Sequence, residues 1–165
     1  MTSEPDTTIA LRPIGVVRSP FTSVLGMPIQ TVGAPHERAS LEVFEAFTEG
    51  LRDIEGFEYL ILLTHLHGVA QEKLQVVPFM DDKTRGVFAT RSPARPNRIG
   101  LSIVRLLAVD GRVLHFEGND MLDGTPVLDI KPYVPQLDVR ETHRIGWFAT
   151  RVEKVGETRS DDRMA

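Results

Sequence analysis

At 165 residues, 41% hydrophobic and 25% charged, the chain has the length of one globular domain and enough apolar material to bury a core. Its net charge of -4 excludes a protein that coats nucleic acid non-specifically, so any RNA contact belongs to a patch. The absence of cysteine excludes a disulfide scaffold, a thiolate metal site and a cysteine nucleophile, and the expected setting is the reducing cytoplasm.

Residues 1–10 are polar, lack the basic flank and apolar core of a signal peptide, and read as a flexible N-terminus. No apolar run is long enough to span a bilayer, so no membrane is expected. Leu11 to Arg18 reads as a strand ended by Ser19-Pro20, and Phe21 to Arg38 as a long loop punctuated by Pro and Gly. A loop of that length inside a compact domain points to function, because its ordering is not repaid by burial. Ala39 to Phe44 has strand alternation. Glu45 to Ile54 reads as a helix with Phe47, Leu51 and Ile54 on one face, stopped by Gly56. Tyr59 to His67 is a buried strand with Tyr59, Ile61, Leu63, His65 and His67 alternating to one side. Arg85 to Arg91 and Ile99 to Val109 are further strands, and Asp110-Gly111 is a hairpin signal leading into Arg112 to Glu117. Thr125 to Tyr133 is the last strand, and 151–165 reads as a charged C-terminal tail without chemistry. Short strands outnumber helices and strict βαβ alternation is missing. The expected fold is therefore mainly β, one domain over 11–150, a mostly antiparallel sheet or barrel with one or two short helices.

Three constellations carry chemistry. From Lys83 to Arg105 there are six positive charges and no Asp or Glu, against the acidic sign of the whole chain. Within that stretch, Pro93 and Pro96 fix the backbone around Arg91, Arg95, Asn97 and Arg98, so these side chains can be aimed at an anionic ligand at low entropic cost. The second runs from Asn119 to Tyr133. Its Asp123-Gly124 turn offers backbone groups to a purine edge or an amino-acid moiety, whereas Asp120, Asp123 and Asp129 can equally serve as turn-stabilising carboxylates. Asp129 and Lys131 share a strand face and can pair, with Tyr133 next along it. The third is Thr64-His65-Leu66-His67, half a metal site with no third ligand at a recognisable offset, so no metal is expected. The chain has no Gly-x-Gly-x-x-Gly, P-loop or Gly-x-Ser-x-Gly, which disfavours Rossmann dinucleotide binding, phosphoryl transfer and serine hydrolysis.

The strings Ile14 to Pro20, Gly86 to Gly100 and Leu122 to Tyr133, in that order, resemble the TsaA-like (TrmO) family of S-adenosylmethionine-dependent tRNA methyltransferases. The resemblance implies a compact β-barrel, a homodimer, S-adenosylmethionine as cofactor, and tRNA as substrate, methylated on the threonylcarbamoyl-modified adenosine beside the anticodon. It implies cofactor contacts at Gln30, Thr31, Val32 and Gly33, at His65 and Leu66, at Arg91 and Leu101, and at Asp123, Gly124, Thr125 and Pro126. Methyl transfer from such a donor is an in-line displacement, and the amide-like acceptor nitrogen benefits from a base. Asp123, Asp129 and Tyr133 are the candidates for that base, Arg91 or Lys131 for a polarising donor, and Arg95, Asn97, Arg98 and Lys131 for the RNA. Two alternatives stay open: a non-catalytic module that binds S-adenosylmethionine or RNA, and a methyltransferase with a different acceptor.

Overall fold

The computed structural model of the protein describes residues 8–164, so most of the 1–10 segment read as a flexible N-terminus lies outside the described residues. Six strands close on themselves in a fully antiparallel barrel: β1 (Gly15–Arg18), β2 (Arg38–Val43), β3 (Tyr59–His65), β6 (Ile99–Asp110), β7 (Val113–Glu117) and β8 (Pro126–Pro132). Their order around the barrel is β1, β2, β7, β6, β3, β8, with β8 pairing back onto β1 through Gly15 opposite Val127. Closure leaves no unpaired edge in this sheet, the main liability of a small antiparallel fold. Two short strands, β4 (Gln75–Val76) and β5 (Arg85–Gly86), make a separate ribbon beside the barrel.

Period-two alternation decides which side chains fill the interior. On β3, Leu60, Leu62 and Thr64 point in; on β6, Ser102 and Val104; on β7, Leu114 and Phe116. The apolar ones among them, with Val17, Leu41, Val43, Leu51, Met121 and Val127, form one buried cluster. Each fully buried side chain of this kind contributes about 1.5–3 kcal/mol, which makes the barrel the rigid part of the molecule. Val69, Val76, Val87 and Ala94 form a second, smaller cluster within the segment that links β3 to β6.

Several expected elements are shorter or different. The helix expected over Glu45–Ile54 is a pair of 3₁₀ turns, Glu45–Leu51 and Ile54–Gly56, separated by Asp53 at φ 67°. Gly50 lowers helix propensity there, and the Thr48 hydroxyl bonds back to the Glu45 carbonyl at 2.9 Å, favouring the tighter turn. The strand expected over Arg85–Arg91 is confined to Arg85–Gly86, followed by a 3₁₀ turn at Val87–Ala89. The first strand begins at Gly15 instead of Leu11, consistent with Pro13 having no N–H to give to a ladder. The only α-helical turn among the described residues is α1 (Pro135–Asp138).

The charged segment after Thr150 is not loose. Ser160 is buried and holds the long loop at Val24–Met27: its Oγ donates to the Val24 carbonyl at 2.6 Å and accepts from Met27 N at 2.9 Å, while its N donates to the Met27 carbonyl at 2.9 Å. Arg159 donates to the Gly33 carbonyl at 3.0 Å, and Arg163 donates to the Pro78 carbonyl at 3.0 Å.

Candidate functional site

At one end of the barrel β3 stops, β6 starts, and the link between β7 and β8 turns back. A cleft of about 1420 Å³ opens there. Its floor is the barrel mouth, with Thr64, Gly100, Ser102, Asp120 and Thr125; the long loop supplies Met27 to Val32. The arginine segment supplies Thr90 to Arg95, and the C-terminal segment adds Trp147, Phe148, Val155 and Ser160. Gly100 is required at the mouth: a Cβ there would lie 2.6 Å from Thr64 Oγ1 and 2.8 Å from Leu66 Cδ2. The stacked Trp147–Phe148 pair, 4.1 Å between ring centres, is tied down by Trp147 Nε1 donating to the Ala89 carbonyl at 2.8 Å.

Of the expected cofactor contacts, Gln30, Thr31, Val32, Leu66, Arg91, Leu101 and Thr125 line this one volume. Arg91 Nη1 donates to Gln30 Oε1 at 2.8 Å, bridging the arginine segment and the long loop at the rim. Gly33 faces a second, smaller cavity beside Arg159. The turn at Asp123-Gly124 uses its N–H groups internally: Asp123 N donates to Phe21 O, Gly124 N to Val17 O and Thr125 N to Leu122 O. Of the backbone groups expected to meet a purine edge, the N–H groups are therefore already engaged. Gly124 takes φ 78°, which this turn requires. Pro126 opens β8 opposite Val16 and does not line the cleft.

The candidates for catalysis are placed elsewhere. Asp123 Oδ1 accepts from Ser19 N at 3.0 Å and so braces the turn. Asp129 and Lys131 form an exposed ion pair at 2.8 Å on the outer face of β8, and Tyr133 packs edge-on against Tyr59 with 6.2 Å between ring centres. None of these four lines the cleft. In the arginine segment, Arg95 does line it, but its Nη1 is already bonded to the Thr90 carbonyl at 3.0 Å. Asn97 and Arg98 both hold positive φ, 63° and 48°, a strained pair whose backbone receives Leu66 N on the Arg98 carbonyl at 2.8 Å.

His65 and His67 do not share a strand face. β3 ends at His65, and His67 N bonds back to the His65 carbonyl at 2.9 Å, turning the chain off the sheet toward Gly124. No group of three or more His, Cys, Asp or Glu that could hold a metal ion exists among the described residues.

Sequence reasoning read Asp120 as a turn-stabilising carboxylate and did not name it among the candidate bases. It follows Asn119, which is fully buried and ties the link down by donating Nδ2 to Ser19 Oγ at 2.8 Å. Asp120 is the sole carboxylate among the described residues that line the cleft. Its Oδ1 accepts from Ser102 Oγ, which points up from the barrel interior, at 2.6 Å. Burial pushes the carboxyl up to about 6; the Ser102 hydrogen bond and the charge of Arg91 oppose that rise without cancelling it. No spacing rule connects residues 102 and 120, so only the fold brings them together.

The family model described as the tRNA-methyltransferase O N-terminal domain matches residues 16–139. This chain belongs to the tRNA-methyltransferase O family. A protein of Pyrococcus abyssi, named as a probable S-adenosyl-L-methionine-binding protein, is 50% identical over 156 residues, 94% of this chain and 85% of that one. The mouse tRNA (adenine(37)-N6)-methyltransferase is 39% identical over 133 residues, 76% of this chain and 31% of the mouse protein. The crystal structure of TrmO from Pseudomonas aeruginosa superposes with a TM-score of 0.71 at 39% identity, covering 86% of this chain and 63% of that one. The match to the family confirms the expected mainly β fold, and it ends before the C-terminal segment that forms one wall of the cleft.

Proposed function

We propose that this protein is an S-adenosylmethionine-dependent methyltransferase acting on N6 of the threonylcarbamoyl-modified adenosine next to the anticodon of tRNA. The observation that carries the reading is the cleft, where seven of the residues implied by the family's motifs and an oppositely charged pair, Arg91 and Asp120, face one volume. About 1420 Å³ exceeds the roughly 300–1000 Å³ of an ordinary small-ligand pocket and leaves room for a cofactor and a nucleobase together. The lining also suits this cofactor chemically. Arg91 would offer a guanidinium to its carboxylate, and Met27, Leu66, Leu101 and Met121 would give its sulfonium apolar, unreactive neighbours. When bound, S-adenosylmethionine supplies an electrophilic methyl group on sulfur. The protein's part is to orient the acceptor nitrogen in line with that group, exclude water and receive a proton. Arg98 and Asn97, next to the mouth, suit contact with tRNA phosphate.

Two finer features complete the reading. The outer faces of β3 and β6 carry Tyr59, Ile99, Leu101 and Ile103, each at least 36% exposed, in an apolar strip continuous with the cleft. A second copy of the chain is its occupant, so the working unit is a homodimer with the cleft near the interface. Its compartment is the cytoplasm, where tRNA is found. No helix among the described residues is long and apolar enough to cross a membrane.

Nucleoside mass spectrometry of bulk tRNA from a strain lacking the protein tests the activity. The methylated threonylcarbamoyl adenosine is expected to disappear and to return on complementation; unchanged nucleosides overturn the reading. One observation favours a second reading, a binding module without chemistry: the Pyrococcus protein that is 50% identical over 156 residues is named for S-adenosylmethionine binding alone. Calorimetric binding of S-adenosylmethionine with unchanged nucleosides would support it.

A further inference from the structure

Resting on the methyltransferase reading, the geometry points to Asp120 as a catalytic residue, the group that takes the proton leaving N6 of the acceptor adenosine. Three facts converge on it. The residues chosen for this role from sequence are spent: Asp123 on the Ser19 amide, Asp129 on Lys131, and Tyr133 against Tyr59. Asp120 is the sole carboxylate among the described cleft-lining residues. It is also held in one orientation, because Ser102 Oγ donates to Oδ1 at 2.6 Å; among the described residues no buried side-chain oxygen is left without a partner, so Oδ2 of this cleft-lining residue is accessible.

The other ionisable groups around this volume are of the opposite kind. Arg91 and Arg95 face it from the arginine segment, His67 from the turn after β3, Lys73 from the following loop, and Arg163 from the C-terminal segment. Arg91 is the one whose charge acts on Asp120. A carboxylate that burial lifts to about 6 is a better base than an ordinary one and is still ionised at neutral pH. The acceptor N–H needs such help, because conjugation with the carbamoyl group withdraws its lone pair.

The step balances. The nitrogen lone pair forms the new N–C bond as the carbon–sulfur bond breaks, sulfur keeps that electron pair and becomes a neutral thioether, and the N6 proton passes to Asp120 Oδ2. A cation and an anion enter the step, and neutral groups leave it. In a cleft walled by Met27, Leu66 and Met121, that loss of charge favours the transition state over the ground state.

The test is single-turnover methyl transfer to tRNA carrying threonylcarbamoyl adenosine, measured against pH with saturating S-adenosylmethionine. The wild-type rate is expected to climb with pH through a midpoint at about 6. Asp120→Asn keeps the shape and the Ser102 hydrogen bond, so it should fold, bind S-adenosylmethionine within about fivefold of wild type by calorimetry, and lose about 10²–10⁴-fold in rate with a flat pH profile. Asp120→Glu should restore part of the rate, and Ser102→Ala should move the midpoint without abolishing turnover. An Asp120→Asn rate equal to wild type overturns the assignment. So does a loss of rate fully matched by lost cofactor affinity, which would make Asp120 a binding group. A midpoint that vanishes in His67→Gln and persists in Asp120→Asn would give the role to His67 instead. Wild-type protein that binds S-adenosylmethionine and methylates no tRNA fails at the earlier step, on the function itself.

Discussion

Arg91 Nη1 reaches across 2.8 Å to Gln30 Oε1 and so joins two loops 61 residues apart at the rim of the cleft. The bond is exposed, so its own worth is small, but it aims the guanidinium at the volume that Asp120 faces from below. Arg91→Ala removes the cation and should weaken S-adenosylmethionine by about 10–100-fold, or roughly 1.5–3 kcal/mol for a hydrogen bond to a charged group. Gln30→Ala removes only the brace and should cost no more than about fivefold. Calorimetry on both variants checks this; equal losses would mean that the brace matters more than the charge.

Asp120 makes the fold pH-dependent in an unusual direction. An ordinary Asp titrates at 3.8, and this one at about 6 in the folded protein. Because its folded pKa is raised, the contribution is fully present below 3.8 and lost as pH climbs through 6, where burying the ionised carboxylate costs stability. Asp120→Asn should therefore melt about 2–8 °C above wild type at pH 8 and near wild type at pH 4, a difference on the order of 1–3 kcal/mol. Paired thermal melts at the two pH values measure it. A lower melting temperature for the variant at pH 8 would contradict the raised pKa.

Asp81 acts oppositely. It accepts from Arg85 Nη2 at 2.7 Å and Arg85 Nε at 2.9 Å and lies 3.7 Å from Arg151, and the Arg85 guanidinium holds its carboxyl down at about 2. Arg85 also lies over the Trp147 ring, 5.6 Å from its centre. Asp81→Asn should loosen residues 145–163 and leave the barrel untouched, seen as faster amide exchange in that segment alone. The depressed pKa places this contribution above 3.8, with its loss as pH falls through about 2, so acid should release the same segment. Unchanged exchange in the variant would show that the hydrogen bonds of Ser160 suffice.

The apolar strip on β3 and β6 makes the homodimer testable. Ile103→Glu places a charge in its middle, opposite Ile61, and leaves the barrel interior alone because Ile103 points outward. Sedimentation velocity should report a dimer for wild type and a monomer for the variant. A wild-type monomer at high micromolar concentration would remove the second copy from the proposal.

Alternation made the barrel legible from sequence. Tyr59 to His65 and Ile99 to Asp110 read as strands because their inward and outward side chains differ in kind, and the Asp110-Gly111 turn ties β6 to β7. Propensity misled where the backbone departs from regular geometry: Asp53 in the left-handed region splits the expected helix, and the turn at His67 parts the two histidines. The site was legible as a set of motifs but not as a division of roles. Asp120 and Asp123 look alike in the string Asn119-Asp-Met-Leu-Asp123, yet one faces a cavity and the other an amide. What separates them is Ser102 below and Ser19 beside, contacts made across 18 and 104 residues.

Ser160 clasps Met27 across 133 residues of chain. One wall of the cleft is thus supplied by chain made after the six strands, and a nascent chain with a finished barrel would still be unable to enclose a ligand. A fragment trimmed to the matched family region, 16–139, would lack that wall as well. The same fold with a different segment laid along this side would present a different rim, and a change of RNA partner would then need no change to the six strands beneath.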